Sequence, residues 1–231
     1  MNLDVYRSNL QSEHFSYSQC LQDVFALMIN DYKFNGTCLD IGCATPSTMY
    51  SNSKLLLLHN WKCIGADVGD YYDNWLGYDN FEFNSLNCTN QESIDLLFDK
   101  FEHDVIDFLS LDIDDETADS LELINFDKFK IKCICIEHNK YLGSRGDQRH
   151  RQRKILKDAG YIMIVKNWHN FEDWWIHPDF IDFEKFKYLQ IFNNQMFNEN
   201  LDLNTFCPDH RKHIINNKNQ FNINILNKLK H

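Results

Sequence analysis

The chain has 231 residues, 43% hydrophobic and 14% aromatic, enough for one α/β core and against disorder throughout. Its 23 basic and 34 acidic residues leave a net charge of −11. Such a field repels phosphate backbones and argues against general nucleic-acid binding unless one face is locally basic. No apolar stretch reaches the roughly 18 residues of a membrane span, and MNLDVYRSNL does not read as a secretory leader, so none is expected.

None of the eight cysteines belongs to a CxxC pair. Cys38, Cys63, Cys133 and Cys135 sit in apolar runs, where a free thiol packs as a small hydrophobe. A reducing, cytoplasmic setting without disulfides is the expectation.

In chain order, SQCLQDVFALMIND (18–31) has helical spacing after a serine cap candidate. Strand-like runs follow at 37–41, 62–67, 80–84, 105–113, 131–137 and 161–166, with helical patterns near 47–60, 90–102, 116–125 and 147–159. That alternation predicts an α/β fold with a mainly parallel sheet covered on both faces. Gly160 reads as a helix stop before the sixth strand. FEDWWIHPDF (171–180) reads as an antiparallel edge strand stopped by Pro178. Residues 1–185 form the expected domain. Residues 186–231, rich in Asn, form an appendage expected to dock through Phe186, Phe192, Phe197 and Phe206.

The first strand ends in Asp40-Ile41-Gly42, followed by Cys43 and Ala44, and the second strand ends in Asp67. In an open parallel sheet, ligands bind beyond the carboxyl ends of the strands. A small-residue loop there admits a ligand to the backbone, and a strand-end acid can accept hydrogen bonds from a ribose diol. A dinucleotide would need GxGxxG for its pyrophosphate. This loop reads Gly-Cys-Ala-Thr-Pro-Ser, and Pro46 removes a backbone donor. A nucleoside cofactor without phosphate, such as S-adenosylmethionine (SAM), suits it better. A tight turn and nothing more is the competing reading.

Six segments, in order, resemble the FkbM family of class I SAM-dependent methyltransferases: SYSQCLQD (16–23), LDIGCATPSTMYSNSKLLLLHNW (39–61), IGADVGD (64–70), IDFLSLDIDDETADSL (106–121), CICIEHN (133–139) and GYIMIVKNWHNFEDWWIHP (160–178). Pro46 and Asp115 stand where the family pattern has glycine. The resemblance implies a Rossmann-like fold of seven strands, six parallel and one antiparallel. It also implies methyl transfer from SAM to an oxygen, with a sugar hydroxyl of a glycan or nucleotide-linked sugar as acceptor.

On that reading Gly42 and Cys43 line the cofactor loop, Asp40 orients it from beneath, and Asp67 takes the ribose. Asn84 or Ser85 meets the adenine edge. Gln19, Gln22 and Asp23 line the mouth, or form a solvated helix face. Asn52 braces the loop.

The chemistry falls to Asp112, Asp114, Glu137, His138 and Asn139 at the ends of two adjacent strands. Asp112 or His138 could act as general base for a hydroxyl acceptor. Alternatively, the oxygen ligands Asp112, Asp114, Glu137 and Asn139 suit Mg2+, which would lower the hydroxyl's pKa. Carboxylates that bind the cofactor's cation or cap the next helix are the bland alternative. The basic run GSRGDQRHRQRKILK (143–157) could grip an anionic acceptor through Arg145 and Arg149, or be a solvated helix face. Trp168, Trp174 and Trp175 could wall a sugar site, or pack the core. The partner would be a small-molecule or glycan acceptor. The rival readings are an inactive SAM-fold scaffold, a methyltransferase for another small molecule, lipid or protein, and a nucleotide-sugar enzyme without SAM.

Overall fold

The computed structural model describes residues 16–46, 50–138 and 148–194. Seven strands alternate with short helices: β1 Thr37–Ile41, β2 Lys62–Asp67, β3 Phe81–Ser85, β4 Val105–Leu111, β5 Lys130–Glu137, β6 Ile162–Trp168 and β7 Glu172–Ile176. The helices are α1 Gln22–Ile29, α2 Lys54–Leu58, α3 Tyr72–Trp75, α4 Gln91–Phe98, α5 Thr117–Glu122, α6 Arg149–Asp158 and α7 Phe183–Phe186. They form one sheet in the order β3-β2-β1-β4-β5-β7-β6. β3, β2, β1, β4 and β5 pair in parallel, and β7 runs antiparallel to both β5 and β6, one place in from the edge. The order reverses between β1 and β4, so the carboxyl ends of these two strands border the crevice of such a sheet.

Strand alternation divides the core between two faces. Cys38, Cys63, Phe108, Cys133, Cys135 and Trp174 lie on the face covered by α1 and α2. Leu39, Ile64, Leu109, Ile134 and Trp175 lie on the opposite face, under α4, α5 and α6. The strand cysteines are buried and free, the packing role expected of them. The tryptophan question resolves the same way. Trp168, Trp174 and Trp175 are fully buried, with Trp174 4.7 Å from Phe25 and 5.5 Å from Trp168 between ring centres. They build core, not a sugar wall.

Helix α6 closes with a glycine in the left-handed region. Gly160 has φ +89, its N–H bonds Lys157 O at 3.0 Å, and Tyr161 N–H bonds Leu156 O at 2.9 Å. These paired bonds satisfy the helix's last carbonyls and turn the chain into β6.

Two helices are shorter than the apolar pattern predicts. Of the expected 47–60, residues 47–49 lie outside the described residues, and α2 covers Lys54–Leu58, because Ser51, Asn52 and Ser53 spend their side chains elsewhere. Ser51 Oγ accepts from Lys54 N–H, Asn52 Nδ2 donates to Ser110 Oγ, and Ser53 Oγ donates to Asp40. What remains still buries Leu55, Leu56 and Leu57, each contributing about 1.5–3 kcal/mol relative to exposure. Likewise α1 begins at Gln22, behind a left-handed Leu21 (φ 70), without a side-chain cap. Buried Asp23 instead accepts from Ser16 Oγ, Tyr17 N–H and Ser18 Oγ, tying down the segment that enters the helix.

Phe186, Leu189 and Phe192 are buried on the body, and Asn193 and Asn194 bond the backbone of Lys166. Phe197 and Phe206 lie outside the described residues.

Candidate functional site

The loop after β1 is built around Gly42. Its φ is +87, and a Cβ there would fall 1.7 Å from the carbonyl oxygen of Asp112. Only glycine lets β1 and β4 end this close together. Gly42 and Cys43 both donate backbone N–H groups to Ala66 O, at 2.8 and 3.2 Å, and Asp112 N–H donates to Ile41 O at 2.9 Å. The three strand ends are thereby locked to one another.

Asp67 closes this loop onto β2. One carboxylate oxygen accepts from Ala44 N–H at 3.0 Å and the other from Gly69 N–H at 2.9 Å. Each oxygen keeps a second lone pair, and the side chain is half-buried, so a diol can still reach it. The indole of Trp75 adds a bond to Ala44 O at 2.9 Å and stacks on Phe81 with 3.6 Å between ring centres. Cys43 contributes backbone only, because its buried thiol lies over Gly65. Asp40 acts at the loop's far end, through Ser53 at 2.6 Å. Burial pushes its carboxyl up to about 6 against the lowering bonds from Ser53 and Ser110. Asn84 gives its amide N–H groups to Gly65 O and Glu82 O and so braces the sheet. Ser85 is exposed beside Asp67 in the β2–β3 register.

The second half of the site is a set of carboxylates on the α1 face. Strand parity places Asp40, Asp112 and Glu137 there, and Glu172, opposite Glu137 across β5–β7, shares it. Asp112, Asp114 and Glu137 each offer an oxygen within 4.8 Å of the others. Burial raises the Glu137 carboxyl to about 10, reinforced by its hydrogen bond to Asp112 and the charges around it. Burial also raises Asp112, while the bond from Glu137 works the other way. Both carboxyls are thus raised, and the pair favours keeping a proton in the hydrogen bond between Glu137 and Asp112.

Glu172 is fully buried, with one oxygen accepting from Gln22 Nε2 at 3.0 Å and the other from Trp174 Nε1 at 2.9 Å. Burial raises it to about 8, against the lowering of those two bonds. Sequence reading passed over Glu172 as a site residue, although it opens the Glu-Asp-Trp of the last strand and so carried a signal. Gln22 joins the site through it, not as a solvated residue.

One expectation is corrected. His138 follows Glu137, so its side chain turns to the opposite face. It is fully buried, its Nε2 3.7 Å from Asp173. A base must reach the acceptor's proton, and this imidazole does not face the carboxylate set. The basic run of α6 is largely consumed by ion pairs. Arg151 pairs with Asp119 and Glu122, Arg153 binds Asp173 through two nitrogens at 2.7 and 2.9 Å, and Lys154 meets Asp158 at 2.6 Å. Arg149 opens α6 half-buried. Asn139 and Arg145 lie outside the described residues.

The two edges of the sheet differ in their handling of charge. At the amino edge, Asp107 is paired with Lys33 at 2.6 Å and Lys132 at 2.9 Å. At the carboxyl edge, among the described residues, no ion pair neutralises Asp40, Asp112, Glu137 or Glu172. Buried carboxyls without a cation are costly. They suit a site that receives a positive charge or a proton.

No protein-family model matches the chain, and no curated protein matches it. Solved structures do. The fold is similar to that of the "putative rRNA-methylase" from Clostridium thermocellum, at 13% identity over 67% of this chain and 94% of that one, TM-score 0.44. It is also similar to precorrin-6y C5,15-methyltransferase from Geobacter metallireducens, at 14% identity over 67% and 86%, TM-score 0.42. A third is the CurJ carbon methyltransferase, at 12% identity over 61% of this chain, TM-score 0.40. The chain spans about half of that protein's length, 47%. The fold assignment rests on the sheet itself: seven strands, six in one direction and β7 reversed. That is the Rossmann-like arrangement expected from the sequence, except that the antiparallel strand is inserted between β5 and β6 and is not the edge strand. No helix among the described residues is long and apolar enough to cross a membrane.

Proposed function

We propose that this chain is a SAM-dependent methyltransferase of the FkbM type acting on an oxygen acceptor, a sugar hydroxyl of a glycan or nucleotide-linked sugar. The observation that carries the reading is the closed loop Gly42–Ala44 with Asp67 at one end, set beside an unneutralised carboxylate cluster at the same sheet edge. The residues fit the cofactor. Gly42 leaves room where a Cβ would clash, Asp67 has lone pairs for a ribose diol, and Trp75 and Phe81 support the loop.

When bound, SAM supplies a methyl group that is already activated, so the protein's task is to position the acceptor and remove a proton. Asp112 is the proton acceptor, at the edge of the cluster. Glu137 orients Asp112 through the proton held between them. Glu172, clamped by Gln22 and Trp174, sits opposite Glu137 across the strand pair and adds a further carboxyl to the cluster. Asp112, Asp114 and Glu137 would also fit Mg2+, which when bound would lower the pKa of the acceptor hydroxyl.

The test is thermal unfolding with S-adenosylhomocysteine (SAH), followed by transfer of labelled methyl to a pool of glycans and nucleotide sugars. SAH at about 100 times its Kd stabilises by roughly 2.7 kcal/mol, a rise of about 5–11 °C at this size. That rise, abolished by Asp67→Ala, together with labelled sugar, supports the reading. No rise in a protein that melts cooperatively refutes it. Binding without transfer leaves the scaffold reading.

A further inference from the structure

Lys54 is a buried cation at the site that the chemistry so far does not use. It opens α2 and is only 4% exposed. Its ammonium donates to Pro46 O at 3.2 Å and lies 4.7 Å from the centre of the Tyr17 ring. Among the described residues no carboxylate pairs with it, although the edge of the sheet above β1 and β4 is crowded with acids. Burial lowers its pKa with no compensating charge.

Among the described residues this buried ammonium is held by one carbonyl and an aromatic face, and it is short of an anion. Pro46 belongs to the loop that Asp67 grips at Ala44. Tyr17 is fixed against the same region, since its carbonyl accepts from Ser51 N–H at 2.9 Å. The ammonium thus stands at the end of the loop away from the ribose-binding acid. The cofactor has matching ends: a ribose at one and an amino-acid carboxylate at the other. Its carboxylate would be repelled by Asp40 and Asp112, so it needs a cation here.

We propose that Lys54 is the residue that binds the carboxylate of the cofactor's methionyl tail, with Pro46 and Tyr17 holding the ammonium ready for it. The inference rests on the methyltransferase reading. It makes Lys54 a specificity determinant that separates SAM from its decarboxylated analogue, which differs by that one group.

Calorimetric binding of both ligands to the full chain tests this, with no catalytic turnover required. Wild type should prefer SAM over decarboxylated SAM by about tenfold or more, the scale of a charge-assisted hydrogen bond. Lys54→Met should erase the preference by weakening SAM while leaving the analogue's affinity unchanged, and Lys54→Arg should retain part of it. Equal weakening of both ligands, or no change in either, overturns the proposal and leaves Lys54 a brace for Pro46. A wild-type protein that binds both equally overturns it without any variant, so a poorly folding Lys54→Met does not protect it. A wild type that binds neither refutes the methyltransferase reading itself.

Discussion

Lowering the pH toward neutrality from the alkaline side should stabilise the cofactor-free protein, and the carboxylate cluster sets the size of the effect. Glu137 is raised to about 10 and Glu172 to about 8, both chiefly by burial, whereas an unfolded Glu titrates near ~4.3. Between these values the folded state binds more protons than the unfolded state. Stability is then fully present below the unfolded pKa and is lost as pH rises through the folded pKa. Each extra proton contributes a slope of about −1.4 kcal/mol per pH unit. The informative window is about pH 7 to 8, above the ordinary histidine midpoint and below the thiol midpoint. Across it the Glu137 proton alone accounts for about 1.4 kcal/mol of lost stability, and Glu172 adds to this until it ionises. The assay is urea unfolding at constant m-value with a chelator present. Glu137→Gln should flatten the slope by about one proton's worth. A stability that is flat or rising over this window would refute the claim that the cluster is protonated in the free protein.

Gly42→Ala should cost about 2–5 kcal/mol, from the left-handed backbone and the clash with Asp112 O, and should abolish SAH binding; thermal unfolding reads both. Arg153→Met strands buried Asp173 and should cost roughly 3–5 kcal/mol, while Arg151→Ala, on an exposed pair, should cost ~1 kcal/mol or less; urea midpoints distinguish them. Mg2+ at slightly alkaline pH should raise the melting temperature and lose that effect in Asp112→Asn, if the carboxylates take a metal; an unchanged melting temperature would leave Asp112 as a simple base.

The order of strands and helices was legible because periodicity is local: alternation of two along a strand and near four along a helix survives in the bare sequence. Boundaries slipped where polar side chains took backbone partners, as at Ser51–Ser53, which shortened α2. The cofactor loop was legible too, since Gly42 and Asp67 each end a strand-like run. Strand parity also puts Asp112 and Glu137 on one face, while the 3-10 turn Asp114–Glu116 brings Asp114 to them. It equally implied that His138 faces away from Glu137, although its candidacy as a base did not use that fact.

What the sequence alone determined is therefore the alternating fold, the glycine turn and the acid-tipped strands. Tertiary structure decided which of the charged residues share a space. Gln22 meets Glu172 across 150 positions, Arg153 is spent on Asp173, and Lys54 is enclosed between Tyr17 and Pro46. Such meetings depend on strand register and crossovers, which join distant segments through packing and carry no period along the chain.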